Sequence, residues 1–122
     1  MKQTDTPFID QMAEASPALK DARDAAVDHW APEEVSSAVL LLALGHRLAD
    51  EFKAGDAHAI SSVFERIEHA LAEGDADAQA AASAMIEAAV ARAVDLGTWP
   101  EMRLMFGDKS AAHALNCMTL DR

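Results

Sequence analysis

Residues 56–96 read DAHAISSVFERIEHALAEGDADAQAAASAMIEAAVARAVDL, and this stretch decides the fold. Ile60, Val63, Phe64, Ile67 and Leu71 recur at steps of three and four, which draws one apolar stripe along a helix. Ala78, Ala82, Met85, Ile86, Ala89, Val90, Ala93 and Leu96 form a broader apolar face on a second helix. Between them, Glu73-Gly74-Asp75 predicts a corner, with glycine ending one helix in a left-handed turn and aspartate capping the next. The expectation is a central antiparallel helix hairpin.

Working outward, Pro7, Pro17, Pro32 and Pro100 each stand where a helix can begin, because the first helical position needs no amide donor. Gly-Asp recurs at 55–56 and 107–108, and each pair can close one helix and cap the next. A first helix is predicted from Pro7 to Ala15, with Phe8, Ile9 and Met12 inward. A second runs from Pro17 to about His29, with Leu19, Ala22, Ala26 and Trp30 on one side and Asp21, Asp24 and Asp28 on the other. The third, from Pro32 to about Lys53, is apolar nearly all round between Ala38 and Leu44, which predicts the central, most buried helix. A short piece begins at Thr98-Trp99-Pro100 and ends at Phe106. A last helix, from Asp108 to Leu120, turns Ala111, Ala114, Leu115 and Met118 to one side.

Nothing alternates with period two, and no Gly-Ser or Pro-rich linker divides the chain. The fold class expected is therefore all-α: a compact single-domain bundle of about six helices over 1–122, with 1–6 and 121–122 fraying. The echo of AGDAHA in EGDADA admits HEAT-like stacking, although a solenoid needs more repeats. Composition agrees: 51% of the 122 residues are hydrophobic, which is enough for a core. Alanine dominates them, favouring close-packed helices over sheet.

The net charge of -11 repels nucleic acid and anionic membrane, so neither is an expected partner, and it favours a basic protein surface. A single cysteine, Cys117, excludes an internal disulfide and fits a reducing compartment. The first fifteen residues hold Lys2, Asp5, Asp10 and Glu14 and no apolar run of the kind a secretory signal needs. A cytoplasmic protein is expected. The apolar run at 35–45 is too short to span a membrane.

Chemistry is sparse. None of the five histidines follows a Glu by three residues, as di-iron bundles require. Glu65 with His69, and His46 with Asp50, stand four apart, a spacing of ordinary surface contacts. His113 and Cys117 are also four apart, but no third orienting group or oxyanion donor accompanies them. There is no GxSxG, Walker loop, GxGxxG, HExxH or CxxC. No catalytic residue, metal or cofactor is expected, and the chain does not read as an enzyme. Glu68 and Glu87, one on each helix of the hairpin, are expected as boundary carboxylates bonded to basic or backbone donors, in preference to an acid/base pair.

Acidic residues are distributed more informatively. From Asp5 to Glu34 eight carboxylates face only Lys20 and Arg23. Asp21, Asp24 and Asp28 make a like-charged stripe, and Glu73, Asp75 and Asp77 cluster at the hairpin corner. Such faces are either simply solvated or a docking surface for a cationic partner.

The order of the pieces SPALKDARDAA, LLLALGHRLADEF, VFERIEHALAEGDADAQAAASAMIEAAV and WPEMRLMFGDKS resembles a family of small all-helical bacterial proteins of unassigned biochemistry. Its members often occur as candidate immunity proteins of polymorphic-toxin, contact-dependent inhibition or type VI secretion systems. The likeness is most specific around Ile67-Glu68, Gly74-Asp75 and Ile86-Glu87. Phe106 to Ser110 is similar to the family's LGPxS-type segment, with Asp108 in place of the proline. What the resemblance implies is an inhibitor that binds a cognate toxin domain one to one. If that toxin is a nuclease, its groove is basic, and Asp21, Asp24, Asp28, Glu33, Glu34, Glu73, Asp75 and Asp77 are the expected contact residues. The alternative is a non-catalytic interaction or scaffold module that forms a homodimer through Met118, Leu120 and their apolar neighbours.

Overall fold

Ser16, Ser36, Asp56 and Asp75 each sit in extended backbone immediately before a helix and accept a hydrogen bond from its first turn. These caps satisfy amides that have no carbonyl partner within the helix. They divide the chain into α1 (Thr6–Ala15), α2 (Pro17–Trp30), α3 (Ser37–Glu51), α4 (Ala57–Glu73) and α5 (Ala76–Leu96). The short α6 (Trp99–Met102), a 3-10 turn at Arg103–Met105 and α7 (Asp108–Leu120) follow. This computed structural model describes the backbone of residues 6–120 and the side chains of 7–115, and among these residues there are seven α-helices and no strand. The fraying expected of 1–5 and 121–122, and the placements expected of Cys117, Met118 and Leu120, lie outside the described residues. Thr6, expected to fray, is the first residue of α1.

Two expectations about helix ends are corrected. The third helix begins at Ser37 and not at Pro32, which follows a cis peptide bond in the loop after α2. Ser36 wins because its hydroxyl accepts from the Val39 amide (3.3 Å). Val35 and Leu40, the residues on either side of that first turn, are both buried, as in a hydrophobic staple. Gly74 is also not left-handed: its φ of -75° and ψ of 164° are extended. Glycine is needed there for space, since a Cβ would meet the Ala70 carbonyl oxygen at 2.5 Å. The left-handed terminator is Gly97, φ 77°, where the Thr98 amide reaches back to the Ala93 carbonyl (2.9 Å) and closes α5.

The core runs through all the long helices and includes Met12, Leu19, Leu44, Leu48, Ile67, Met85 and Ile86, all fully buried. The expected antiparallel α4–α5 hairpin is present, and the tightest seam is that of α3 on α5. Gly45 makes the seam possible: a Cβ there would lie 2.6 Å from the Ala88 Cβ and 2.7 Å from the Met85 carbonyl oxygen. Small residues let two helix backbones approach within the distance that larger side chains forbid. α5, rather than α3, is the central element, packed against α1, α3, α4, α6 and α7. Leu42 on α3 is 49% exposed, so the apolar girdle of that helix is not buried all round. The arrangement is two hairpins side by side, α2–α3 and α4–α5, with α1 against both α2 and α4.

Candidate partner-binding surface

Helix directions decide where the acidic residues meet. Gly45 abuts Met85 and Ala88, and Asp50 accepts from Arg92 (2.8 Å), so α3 and α5 run parallel. Continued upward, this register sets Ser37 level with Gln79. Arg47 near the end of α3 donates to the Ala18 carbonyl at the start of α2 (3.4 Å), so those two run antiparallel. The α2–α3 loop and the Gly74-Asp75 corner therefore lie at the same end of the bundle. Pro7 and Phe8 of α1 join them there, lining with Gly74 and Asp75 a cleft of about 270 Å³.

This end is built from two stretches of chain that contain His29, His46 and His69 but no lysine or arginine. No Lys or Arg occurs between Arg23 and Arg47, nor between Arg66 and Arg92. Asp28, Glu33, Glu34, Glu73, Asp75 and Asp77 are all exposed. Helix directions thus place six of the eight residues expected as contacts at the same end of the bundle. Asp21 and Asp24 lie further down α2. Asp21 is exposed, whereas Asp24 is paired with Lys20 (2.9 Å) and Arg23 (3.2 Å). The hydrogen bond from Lys20 holds the Asp24 carboxyl below the usual carboxylate range, against some desolvation and with help from Arg23. The expected like-charged stripe is consequently broken at its middle. Asp75 is partly committed as well, one oxygen accepting from the Ala78 amide at 2.9 Å.

Two of the exposed carboxylates sit against their helix dipoles. Asp28 is in the last turn of α2 and Glu73 is the last residue of α4, at the negative poles of those helices. A positive group brought to this end relieves that repulsion. The opposite end also carries Glu51, Asp56 and Asp95, but there Asp50 pairs with Arg92 and Lys53 with Glu101 (3.4 Å).

Sequence reasoning missed Trp30. It was expected on the inward side of α2 with Leu19 and Ala22, yet it is 45% exposed, its ring edge-on to His29. Trp30 is the last residue of its helix, followed by the loop that leads to Ser37. The signal available was its position next to Ala31-Pro32, where the apolar stripe runs out of helix. Val27, one turn earlier, is similarly exposed.

Glu68 and Glu87 both turn toward α7 rather than toward each other. Glu68 Oε1 accepts from the Ser110 amide and hydroxyl, and Oε2 accepts from the Lys109 amide, all at 2.9 Å. Asp108, expected to cap α7, lies inside it as its first residue. The cap comes from α4, 42 residues away in sequence. Burial raises the Glu68 pKa, but the three hydrogen bonds and the nearby Lys109 charge outweigh it and hold the carboxyl below its ordinary value. A carboxylate so engaged is a structural clamp. Glu87 is largely exposed, with an oxygen 3.4 Å from His113 Nε2 and poorly aligned for a hydrogen bond.

Among the described residues no three His, Cys, Asp or Glu side chains are grouped to hold a metal ion, and no helix is long and apolar enough to cross a membrane. No family model, curated protein or solved structure matches this chain.

Proposed function

We propose that this chain is a non-catalytic inhibitor of the immunity type, which binds a cognate cationic toxin domain one to one through the acidic end of its bundle. The observation that carries this reading is the convergence of two Lys/Arg-free stretches on one end of the fold. An array of fixed carboxylates on rigid helices steers a basic surface toward it and penalises wrong partners of like charge. A nuclease-type domain is favoured, because a groove that binds phosphate already carries the complementary charge. Trp30 supplies what charge alone does not. Exposed tryptophans ringed by polar groups are the common anchors of protein interfaces, and Asp28, Glu33 and Glu34 are its neighbours in the chain.

Co-expression with a candidate basic toxin domain tests the reading. The wild type rescues growth. The triple variant Asp28→Lys, Glu33→Lys, Glu34→Lys associates roughly 10–100-fold more slowly at low salt and protects poorly. Trp30→Ala acts instead on dissociation, accelerating it about tenfold or more. Unchanged rates in both variants remove this end from the interface. A second reading, a scaffold module acting as a homodimer, is favoured by the exposure of Leu104 (77%) and Leu115 (62%) on the flank of the bundle. It predicts that neither variant has any effect on what the protein does.

A further inference from the structure

We infer that the cleft between α4 and the 3-10 turn leading into α7 takes a short extended segment of a protein partner, in which two arginines flank an apolar residue. The inference rests on the toxin reading for the identity of that partner, and adds the kind of sequence the partner presents. The cleft measures about 550 Å³. Its apolar surface comes from Phe64, Ala72, Met105 and Phe106, and its charge from Glu65, Glu68 and Glu73. Among the described residues no Lys or Arg lines it, and His69 and Ser61 are its other polar side chains. Phe106 is held edge-on against Phe64 (5.3 Å between ring centroids) and tilted against Trp99 (5.7 Å), so the floor is already formed. Met105 and Ala72 are exposed.

Charge complementarity names the occupant. Glu68 is committed to the Lys109 and Ser110 amides, with the Lys109 charge nearby. Glu65 and Glu73 are exposed, and among the described residues neither is in an ion pair. Along α4 they stand about 12 Å apart, with His69 between them. Arginine joins a planar guanidinium, suited to a carboxylate, to an apolar stem that can lie on Met105 or Ala72. In an extended segment residues i, i+2 and i+4 share a face, and the outer two are about 13 Å apart. That spacing matches Glu65 to Glu73 and turns the middle residue toward Met105 and Phe106. A wholly apolar segment would desolvate both glutamates unpaired, and an acidic one would be repelled. Glu73 also belongs to the acidic end of the bundle, so the cleft continues that end down the side of α4.

Titration of the isotope-labelled full chain with the peptide acetyl-Arg-Thr-Leu-Thr-Arg-amide, followed by amide NMR at physiological salt, tests it without the toxin. The control peptide carries citrulline, which has the same shape and no charge, in place of both arginines. The expected result is saturable shifts confined to residues 61–73 and 104–108, with the control binding about tenfold more weakly or worse. Glu65→Gln combined with Glu73→Gln weakens the arginine peptide about tenfold, and Met105→Ser about threefold, with unchanged circular dichroism spectra. The variant Asp28→Lys, Glu33→Lys, Glu34→Lys leaves it within about twofold, because those residues lie outside the cleft. The two ideas therefore fail separately. Loss of growth rescue strikes the toxin reading and leaves a segment-binding cleft in place. Shifts that do not saturate, shifts spread over the acidic end, or equal binding of the citrulline peptide overturn the inference.

Discussion

A carboxylate that accepts three hydrogen bonds from the first turn of a distant helix, as Glu68 does from Lys109 and Ser110, ties the last third of the chain to its middle. Gly107 is part of the same device, because a Cβ there would lie 2.6 Å from the Glu68 carboxyl. Glu68→Ala is expected to cost about 1–3 kcal/mol in urea unfolding, by leaving the Ser110 and Lys109 donors unmatched. Gly107→Ala should displace the same carboxylate, and in the double variant the two losses should not add. The pH dependence has a definite sign. The folded-state pKa of Glu68 is depressed below its ordinary 4.5, so its contribution is complete above that value and is lost as the pH falls through the folded pKa. Unfolding titrations between neutral and strongly acidic pH should show this loss in the wild type and a shallower one in Glu68→Gln. Sequence reading reached Glu68 as a boundary carboxylate bonded to a donor, and the structure supplies that donor. What the sequence did not disclose is which helix it serves, since a cap reaching across 42 residues leaves no local pattern.

At the level of elements, amphipathic periodicity made every long helix legible, because a 3.6-residue apolar stripe is a local property of the chain. Boundaries depended on competition between neighbouring signals. Pro32 and Ser36 both mark helix starts, and the serine prevails because it accepts an amide hydrogen bond while Val35 is buried behind it. Ser36→Ala is accordingly expected to destabilise the protein by about 1 kcal/mol, measured by thermal or urea unfolding. Which helices pair most closely was not legible, because seam geometry depends on residues far apart in sequence. Gly45 reads as an ordinary break in helix propensity, yet it is the point where α3 and α5 nearly touch. Gly45→Ala gains about 1 kcal/mol of helix propensity but forces a methyl group against the Met85 carbonyl, at about 1–3 kcal/mol. A net fall in stability is expected, and a net rise would show that the seam can open without loss. Trp30 illustrates the same limit from the other side. Its position on the helical wheel is inward, but the wheel does not know that the helix stops there.

For the whole molecule, the sum of charges was readable from the start, whereas its polarity was not. A net charge of -11 spread evenly would serve dispersion alone. Parallel packing of α3 on α5 instead carries Asp28, Glu33, Glu34, Glu73, Asp75 and Asp77 to one end and leaves the Asp50–Arg92 and Lys53–Glu101 pairs at the other. That separation is the physical basis of the proposed docking, and its strength must follow the range of the field. Counter-ions at physiological salt screen exposed charges beyond about 8 Å, so long-range steering weakens as salt rises while the contact itself changes less. The most direct test is the association rate constant between this chain and a candidate basic toxin domain, measured by stopped flow across a series of salt concentrations. The account predicts a rate that falls steeply with salt for the wild type, and much less steeply once Asp28, Glu33 and Glu34 are replaced by lysine. No complex at low salt, or the same salt dependence in both proteins, would contradict it.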